Sequence, residues 1–241
     1  MKQNKKINNL VLLVGGLGTR LRPLVSEVPK PMAPVKNKPF LEHILKYWYQ
    51  KGIKNFHLLV GYKGSLIEKY FGSKFNNSNI FYYSDEKLAG TGGALKLFLL
   101  RKEKYFSDQD FILINGDTWL EVDFNSLILD NEKANNRCII GVKEVSYNER
   151  YGTLKISNKN VLEILPANYK RSFINSGLYI IKSNIILKYF QDQVKYKFSF
   201  ETDILPYLIK DKKLIASFSV KTFLDIGIPD DYKRFKNILS D

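Results

Sequence analysis

Apolar positions along this chain fall into short continuous runs that alternate with stripes at helical spacing. Residues 10–14 are a continuous apolar run, the composition of a strand buried on both faces. Pro39 then opens a segment whose apolar residues Phe40, Leu41, Ile44, Leu45 and Trp48 share one helical face, with Gly52 as its C-terminal stop. Residues 53–60 predict a second strand, turned by Gly61, and Leu66, Ile67, Tyr70 and Phe71 a second helix starting near Ser65. A third short strand is expected at 79–83, a helix through Leu95, Leu97, Phe98 and Leu99, and a strongly apolar strand at 111–114. This alternation argues for parallel βαβ units in a doubly wound, Rossmann-like α/β fold, with a mixed but mainly parallel sheet flanked by helices. After a strand at 137–145 the texture changes. Residues 151–157, 161–165, 173–182 and 214–220 are strand-like, with fewer helices between them. Short helices are expected at 185–190, entered from Ser183, and from near Thr202 to about Lys210, with Pro206 in the first turns. The last helix begins at Pro229, with Asp230 and Asp231 in its first turn and Lys233, Arg234 and Lys236 behind them, in the order the helix dipole favours. The expectation is one domain over 1–241, with a first half of about 8–145 and a smaller lobe of about 146–241 on the same domain.

Composition narrows the class. The 241 residues, 44% of them hydrophobic, suffice for a sizeable core, and no stretch approaches the length needed to cross a bilayer. The apolar run behind the basic N-terminus is too short for a signal peptide, so a cytoplasmic location with no membrane partner is expected. The single Cys138 excludes an internal disulfide and any zinc site built on several cysteines; within Cys138-Ile139-Ile140 it reads as a buried structural thiol. His43 and His57 fall inside a helix and a strand and read as structural. The net charge of +14 raises nucleic-acid binding, but the lysines are spread along the chain without a long basic block. A field that attracts small polyanionic substrates is the reading preferred over nucleic acid.

Candidate chemistry starts where the first strand ends. Gly15, Gly16 and Gly18 let the backbone turn sharply and bring N–H groups close to a ligand, and Arg20, Arg22 and Lys30 supply the cations a polyphosphate needs. The segment is not a P-loop, since it ends Gly18-Thr19-Arg20, nor a dinucleotide fingerprint, whose last glycine would fall at Leu21. Lys30 is held between two prolines that limit its backbone freedom. Asp117 follows the strand at 111–114, at a position suited to hold a metal over phosphates or to turn the chain. A second glycine cluster, Gly90-Thr91-Gly92-Gly93, leads into the helix after it, either as a binding loop or as a plain helix start.

Gly-Gly-Leu-Gly-Thr-Arg-Leu at 15–21 followed by Pro29-Lys30-Pro31-Met32 resembles the signature of the sugar-1-phosphate nucleotidyltransferases, the nucleotide-sugar pyrophosphorylases, and the likeness runs from Leu10 to Tyr232. The family fold is glycosyltransferase-A-like, with a small sugar-binding lobe. The resemblance implies an Mg²⁺-dependent enzyme in which a sugar 1-phosphate attacks the α-phosphorus of a nucleoside triphosphate and pyrophosphate leaves. The nucleophile is already an anion, so positioning and positive charge carry such a reaction without a general base.

The family pattern assigns Gly15, Gly16, Gly18 and Thr19 to the triphosphate, Arg20 to the departing pyrophosphate and Lys30 to the reacting phosphates. Asp117 and Asp225, the latter in an Asp-x-Gly-x-Pro segment, would hold the Mg²⁺, with Asp117 also counted as catalytic. Glu86, Gly90 and Thr91 would meet the nucleoside, and the acidic pair Asp85-Glu86 suits the adjacent donors of guanine, hence GTP. Tyr151, Gly152, Glu163, Asn175 and Glu201 fall in segments like the family's sugar pocket. The family's lysine after its Glu is missing at Glu163-Ile164-Leu165-Pro166, and Lys170 is the candidate replacement. Among short relatives the chain most resembles D-glycero-α-D-manno-heptose 1-phosphate guanylyltransferases, which make GDP-heptose for surface polysaccharides. Mannose-1-phosphate guanylyltransferase, glucose-1-phosphate uridylyl-, cytidylyl- or thymidylyltransferase, and a silent nucleotide-sugar sensor are the alternatives, and assembly into a homo-oligomer is compatible with any of them.

Overall fold

The computed structural model describes residues 7–16, 28–84, 88–106, 109–168, 170–191 and 193–238. The apolar run becomes β1 (Asn9–Val14). A 3-10 turn at Lys30–Met32 leads into the hairpin β2 (Pro34–Val35) and β3 (Lys38–Pro39), whose two turn residues Lys36 and Asn37 are both left-handed. The five apolar residues at helical spacing are the buried face of α1 (Phe40–Gln50). β4 (Asn55–Val60), α2 (Gly64–Phe71), β5 (Lys74–Phe75), β6 (Ser78–Ser84), α3 (Gly90–Arg101), α4 (Glu103–Phe106) and β7 (Asp110–Asn115) follow. Next come β8 (Thr118–Val122) and α5 (Phe124–Lys133), neither expected from the sequence pattern; Asp123 caps α5 by accepting from the Ser126 N–H at 3.2 Å. The remainder is β9 (Cys138–Val145), β10 (Thr153–Ser157), β11 (Asn160–Leu165), β12 (Ser172–Lys182), α6 (Ser183–Gln191), α7 (Phe200–Asp203), α8 (Leu205–Lys210), β13 (Leu214–Ser217), β14 (Val220–Asp225) and α9 (Pro229–Ile238).

Ten of these strands form one sheet in the order β10-β11-β13-β9-β12-β7-β1-β4-β6-β5. The expected parallel arrangement holds for β7, β1, β4 and β6. It does not hold beyond them. β12 runs antiparallel to β7 and β9, β11 antiparallel to β10 and β13, and only β13–β9 is parallel. The sheet is therefore mixed and parallel only in its first half. The two-residue turn Asn158-Lys159, left-handed at both positions, can join β10 and β11 only as a hairpin. A further pairing of β10 with β12 closes β12-β9-β13-β11-β10 into a small barrel.

Both faces of the parallel strands are covered, as a continuous apolar run requires. Leu10, Leu12 and Val14 of β1 join Phe40, Trp48 and Phe235 in one core. Val11 joins Leu95, Phe98 and Leu205 on the other face. Each such fully buried aliphatic side chain contributes roughly 1.5–3 kcal/mol. His57 lies in this second layer, bonded to Tyr83 and Asn9, and burial lowers its pKa to about 3, so it stays neutral and structural. The Cys138 thiol is buried, and burial pushes it up to about 11. The expected helix from Thr202 to Lys210 is two helices, broken at Ile204, because Pro206 lacks the N–H that a continuous helix would use there. The expected strand at 214–220 likewise splits at residues 218–219, where β14 leaves the main sheet to pair with β8.

Candidate active site

Three elements converge at the carboxyl end of the parallel strands. The first is the 3-10 turn, where Pro29 is extended and Pro31 is buried; the Met32 N–H donates to Pro29 O at 2.7 Å. This fixes the backbone of Lys30, whose side chain is only 11% exposed. Its Nζ donates to Asp117 Oδ2 at 2.7 Å and to Asp225 Oδ1 at 3.1 Å. Asp117 is the second residue of the Gly116-Asp117 turn that joins β7 to β8; Asp225 ends β14.

The antiparallel ribbon β8–β14 places Asp225 opposite Thr118, beside Asp117, and the Ile226 N–H donates to Asp117 O at 3.1 Å. Two carboxylates far apart in sequence thereby reach one ammonium. Asp225 is further held by the Gly227 N–H at its Oδ1, 2.7 Å away, and its own N–H donates to Asp231 Oδ2 at 3.2 Å. A Cβ on Gly227 would lie 2.3 Å from Lys30 Nζ, so the cluster closes only because residue 227 has no side chain.

No cluster of three or more histidine, cysteine or acidic side chains suited to a metal occurs among the described residues. Two carboxylates that share one cation are nevertheless a hard oxygen donor set, and with phosphate oxygens from a ligand they fit a Mg²⁺ ion. Tyr151 adds a polar group to the same place. Its ring meets Phe223 of β14 edge-on at 5.2 Å, and its hydroxyl is buried without a hydrogen-bond partner among the described residues. Burial, then the nearby charges of Asp225, Asp231 and Asp117, push the phenol well above its usual range, so it keeps its proton and can only gain by donating it to a ligand. The buried Asn148 holds Tyr151 in place, accepting from its N–H at 2.9 Å and donating to its carbonyl at 2.7 Å.

Lys30 and Asp117 open onto a cavity of about 360 Å³ lined also by Gly15 and Gly16 after β1, by Gly90 and Thr91 of α3, and by Glu201 of α7. Gly90 to Gly93 are the first turn of α3 rather than a loop ahead of it. The glycines there answer to packing: a Cβ on Gly92 would lie 2.4 Å from the Phe198 ring, and the Gly92 N–H donates to Phe198 O at 3.1 Å. Thr91 Oγ1 donates to Glu201 Oε2 at 2.6 Å and accepts from the Phe200 N–H at 2.9 Å, so its one proton is already committed. Glu201 Oε2 also accepts from Ser199 Oγ at 2.8 Å. One pair of side chains thus ties the two halves of the chain together across the cavity wall.

Other candidates lie further out. Asn175 sits at the irregularity in β12, with Nδ2 bonded to the Tyr179 hydroxyl at 2.6 Å and Oδ1 to the Gly177 N–H at 2.9 Å. Gly152 packs against Ile164 of β11. Glu163, on β11, and Lys170, beyond it, are exposed and line no part of the cavity. Gly18, Thr19, Arg20, Arg22, Asp85 and Glu86 lie outside the described residues. Sequence reasoning missed Asn148, Asp231 and Lys197, the last a cavity-lining residue in a stretch with four other lysines or aromatics around it and no pattern to single it out.

Residues 9–241 match the model of the family described as Nucleotidyl transferase. The chain belongs to that family. This nucleotidyltransferase is 37% identical over 225 residues to the D-glycero-alpha-D-manno-heptose 1-phosphate guanylyltransferase of Aneurinibacillus thermoaerophilus, covering 93% of this chain and 95% of the relative. It is 35% identical to the enzyme of the same name from Campylobacter jejuni, covering 93% and 97%. Among solved structures, HddC from Yersinia pseudotuberculosis, complexed with GMP-PN, superposes with a TM-score of 0.79 at 33% identity, covering 97% of this chain and 100% of that one. A putative glucose-1-phosphate thymidylyltransferase from Bacillus anthracis shares the fold, with a TM-score of 0.82 at 22% identity over 97% and 95% of the two chains. No helix among the described residues of the nucleotidyltransferase is long and apolar enough to cross a membrane.

Proposed function

We propose that the protein transfers GMP from GTP to D-glycero-α-D-manno-heptose 1-phosphate, giving GDP-heptose and pyrophosphate. The observation that carries this reading is Lys30 Nζ held between Asp117 and Asp225 at the edge of a cavity floored by Gly15 and Gly16. The guanine and heptose parts of the reading come from the two guanylyltransferase relatives, both similar over nearly their whole length. The first half of the chain would hold the nucleotide and the second half the sugar.

In this reading a phosphate oxygen of the sugar 1-phosphate forms a bond to the α-phosphorus as the bond to the β-phosphate oxygen breaks. No proton need move, which agrees with a site whose groups are cations, carboxylates and a neutral phenol. Asp117 and Asp225 would hold a Mg²⁺ ion, which when bound supplies charge neutralisation for the phosphates. Lys30 brings a positive charge to the reacting phosphates from a backbone fixed by two prolines. N–H groups after β1 line the triphosphate, the Tyr151 hydroxyl donates to bound ligand oxygen, and Glu201 accepts from sugar hydroxyls.

The test is pyrophosphate release with Mg²⁺, scanning GTP, UTP, CTP and dTTP against heptose, mannose and glucose 1-phosphates. GTP with the heptose 1-phosphate is expected to give the largest kcat/KM. Release from another pair would reassign the substrates, and release from none would overturn the reading.

A further inference from the structure

Among the described residues, the charges that line the cavity do not balance the ligands proposed for it. Its charged lining among the described residues is Lys30, Asp117, Glu201 and Lys197, with Asp225 just behind Lys30. The Lys30 ammonium is shared by two carboxylates, and Glu201 accepts from Thr91 and Ser199. Before any Mg²⁺ is bound, these five groups sum to a net negative charge in a site proposed to admit two phosphorylated substrates. Lys197 is the exception: its side chain makes no ion pair or hydrogen bond with the described residues.

The backbone around Lys197 is anchored on both sides although the side chain is exposed. The Phe198 N–H donates to Ala89 O at 2.9 Å, and Phe198 O accepts from the Gly92 N–H. Tyr196 O packs so closely on Gly93 that a Cβ there would lie 2.6 Å from it. Lys96 Nζ donates to Gln193 O at 2.7 Å and ties down the start of the segment. A flexible point charge is thus mounted on a fixed base, four residues before Glu201 and on the wall it shares with the first turn of α3. Gly15 and Gly16 belong to another wall, at the ends of the parallel strands, and face the triphosphate in the proposed reaction.

We propose that Lys197 binds the phosphate of the incoming sugar 1-phosphate. This rests on the sugar-1-phosphate reading above and replaces Lys170, which lines no part of the cavity. Lys197 is then a binding residue that sets where the nucleophilic oxygen stands, while Lys30 stays with its two carboxylates and the nucleotide.

The experiment compares the full-length protein with Lys197→Ala, Lys197→Arg and, as a charge control in the same segment outside the cavity lining, Lys195→Ala. Steady-state pyrophosphate release is measured with each substrate varied in turn, using the sugar 1-phosphate that the wild type turns over best. For Lys197→Ala the KM for the sugar 1-phosphate is expected to rise about tenfold or more, with the KM for GTP within about twofold. Lys197→Arg should recover most of that loss, and Lys195→Ala should match the wild type. A rise confined to the KM for GTP, or no rise in either, would overturn the assignment. If the wild type works and Lys197→Ala is unchanged, only the assignment falls; if the wild type uses no sugar 1-phosphate, the functional reading falls with it.

Discussion

Gly227 carries a large effect for a residue with no side chain. Its hydrogen stands where a methyl would meet Lys30 Nζ at 2.3 Å and Asp225 Oδ1 at 2.9 Å. Both of those atoms end side chains, and the lysine end can swing aside, so the fold should tolerate a methyl that the site does not. Gly227→Ala is expected to leave the urea midpoint near that of the wild type while kcat falls about 10²-fold, as a displacement of about 1 Å in a positioning group can cause. Parallel denaturation and rate measurements check this; a variant that is fully active would mean that the Lys30 contact is dispensable. Lys30 itself was legible in the sequence, because two flanking prolines and a glycine turn are local signals. Lys197 was not, since a lysine in a lysine-rich segment gains meaning only from the cavity it borders.

At the scale of elements, the pairing of Asp117 with Asp225 depends on the β8–β14 ribbon and its register. The apolar runs legible in the sequence built the parallel strands, but a five-residue strand that pairs with a partner a hundred residues on has no local signature. A slip of one residue in that ribbon would turn Asp225 to the opposite face. The junction of α3 with the segment at 198–200 is a second such contact. The Gly90 to Gly93 cluster was visible as glycine-rich, yet the reason lies in the Phe198 ring packed on Gly92. Gly92→Ala should overpack this junction and cost about 1–3 kcal/mol, read as a lower urea midpoint at unchanged slope. An unchanged midpoint would show that α3 and Phe198 can separate freely.

Over the whole molecule, the strand–helix alternation legible in the sequence is the parallel first half of the sheet, whereas the antiparallel second half and its closure depend on long-range pairings that composition does not encode. The net charge of +14 acts at this scale too. In the proposed reaction it would draw anionic substrates toward a site whose described lining is locally negative, so KM for GTP is expected to rise several-fold between about 50 and 300 mM NaCl with kcat little changed. A flat KM across that range would assign the charge to some other purpose. The β10–β12 pairing has a consequence of a different kind. An unpaired strand edge is a template on which a second chain can add. At one end of the ten-stranded sheet the strands close on themselves, and at the other the two-residue β5, carrying Lys74, pairs only with Ser78 and Asn79 of β6. The closed end is therefore protected against strand-by-strand addition by its own topology, independently of surface charge, and the edge of β6 beyond Asn79 is the side on which a second chain would add.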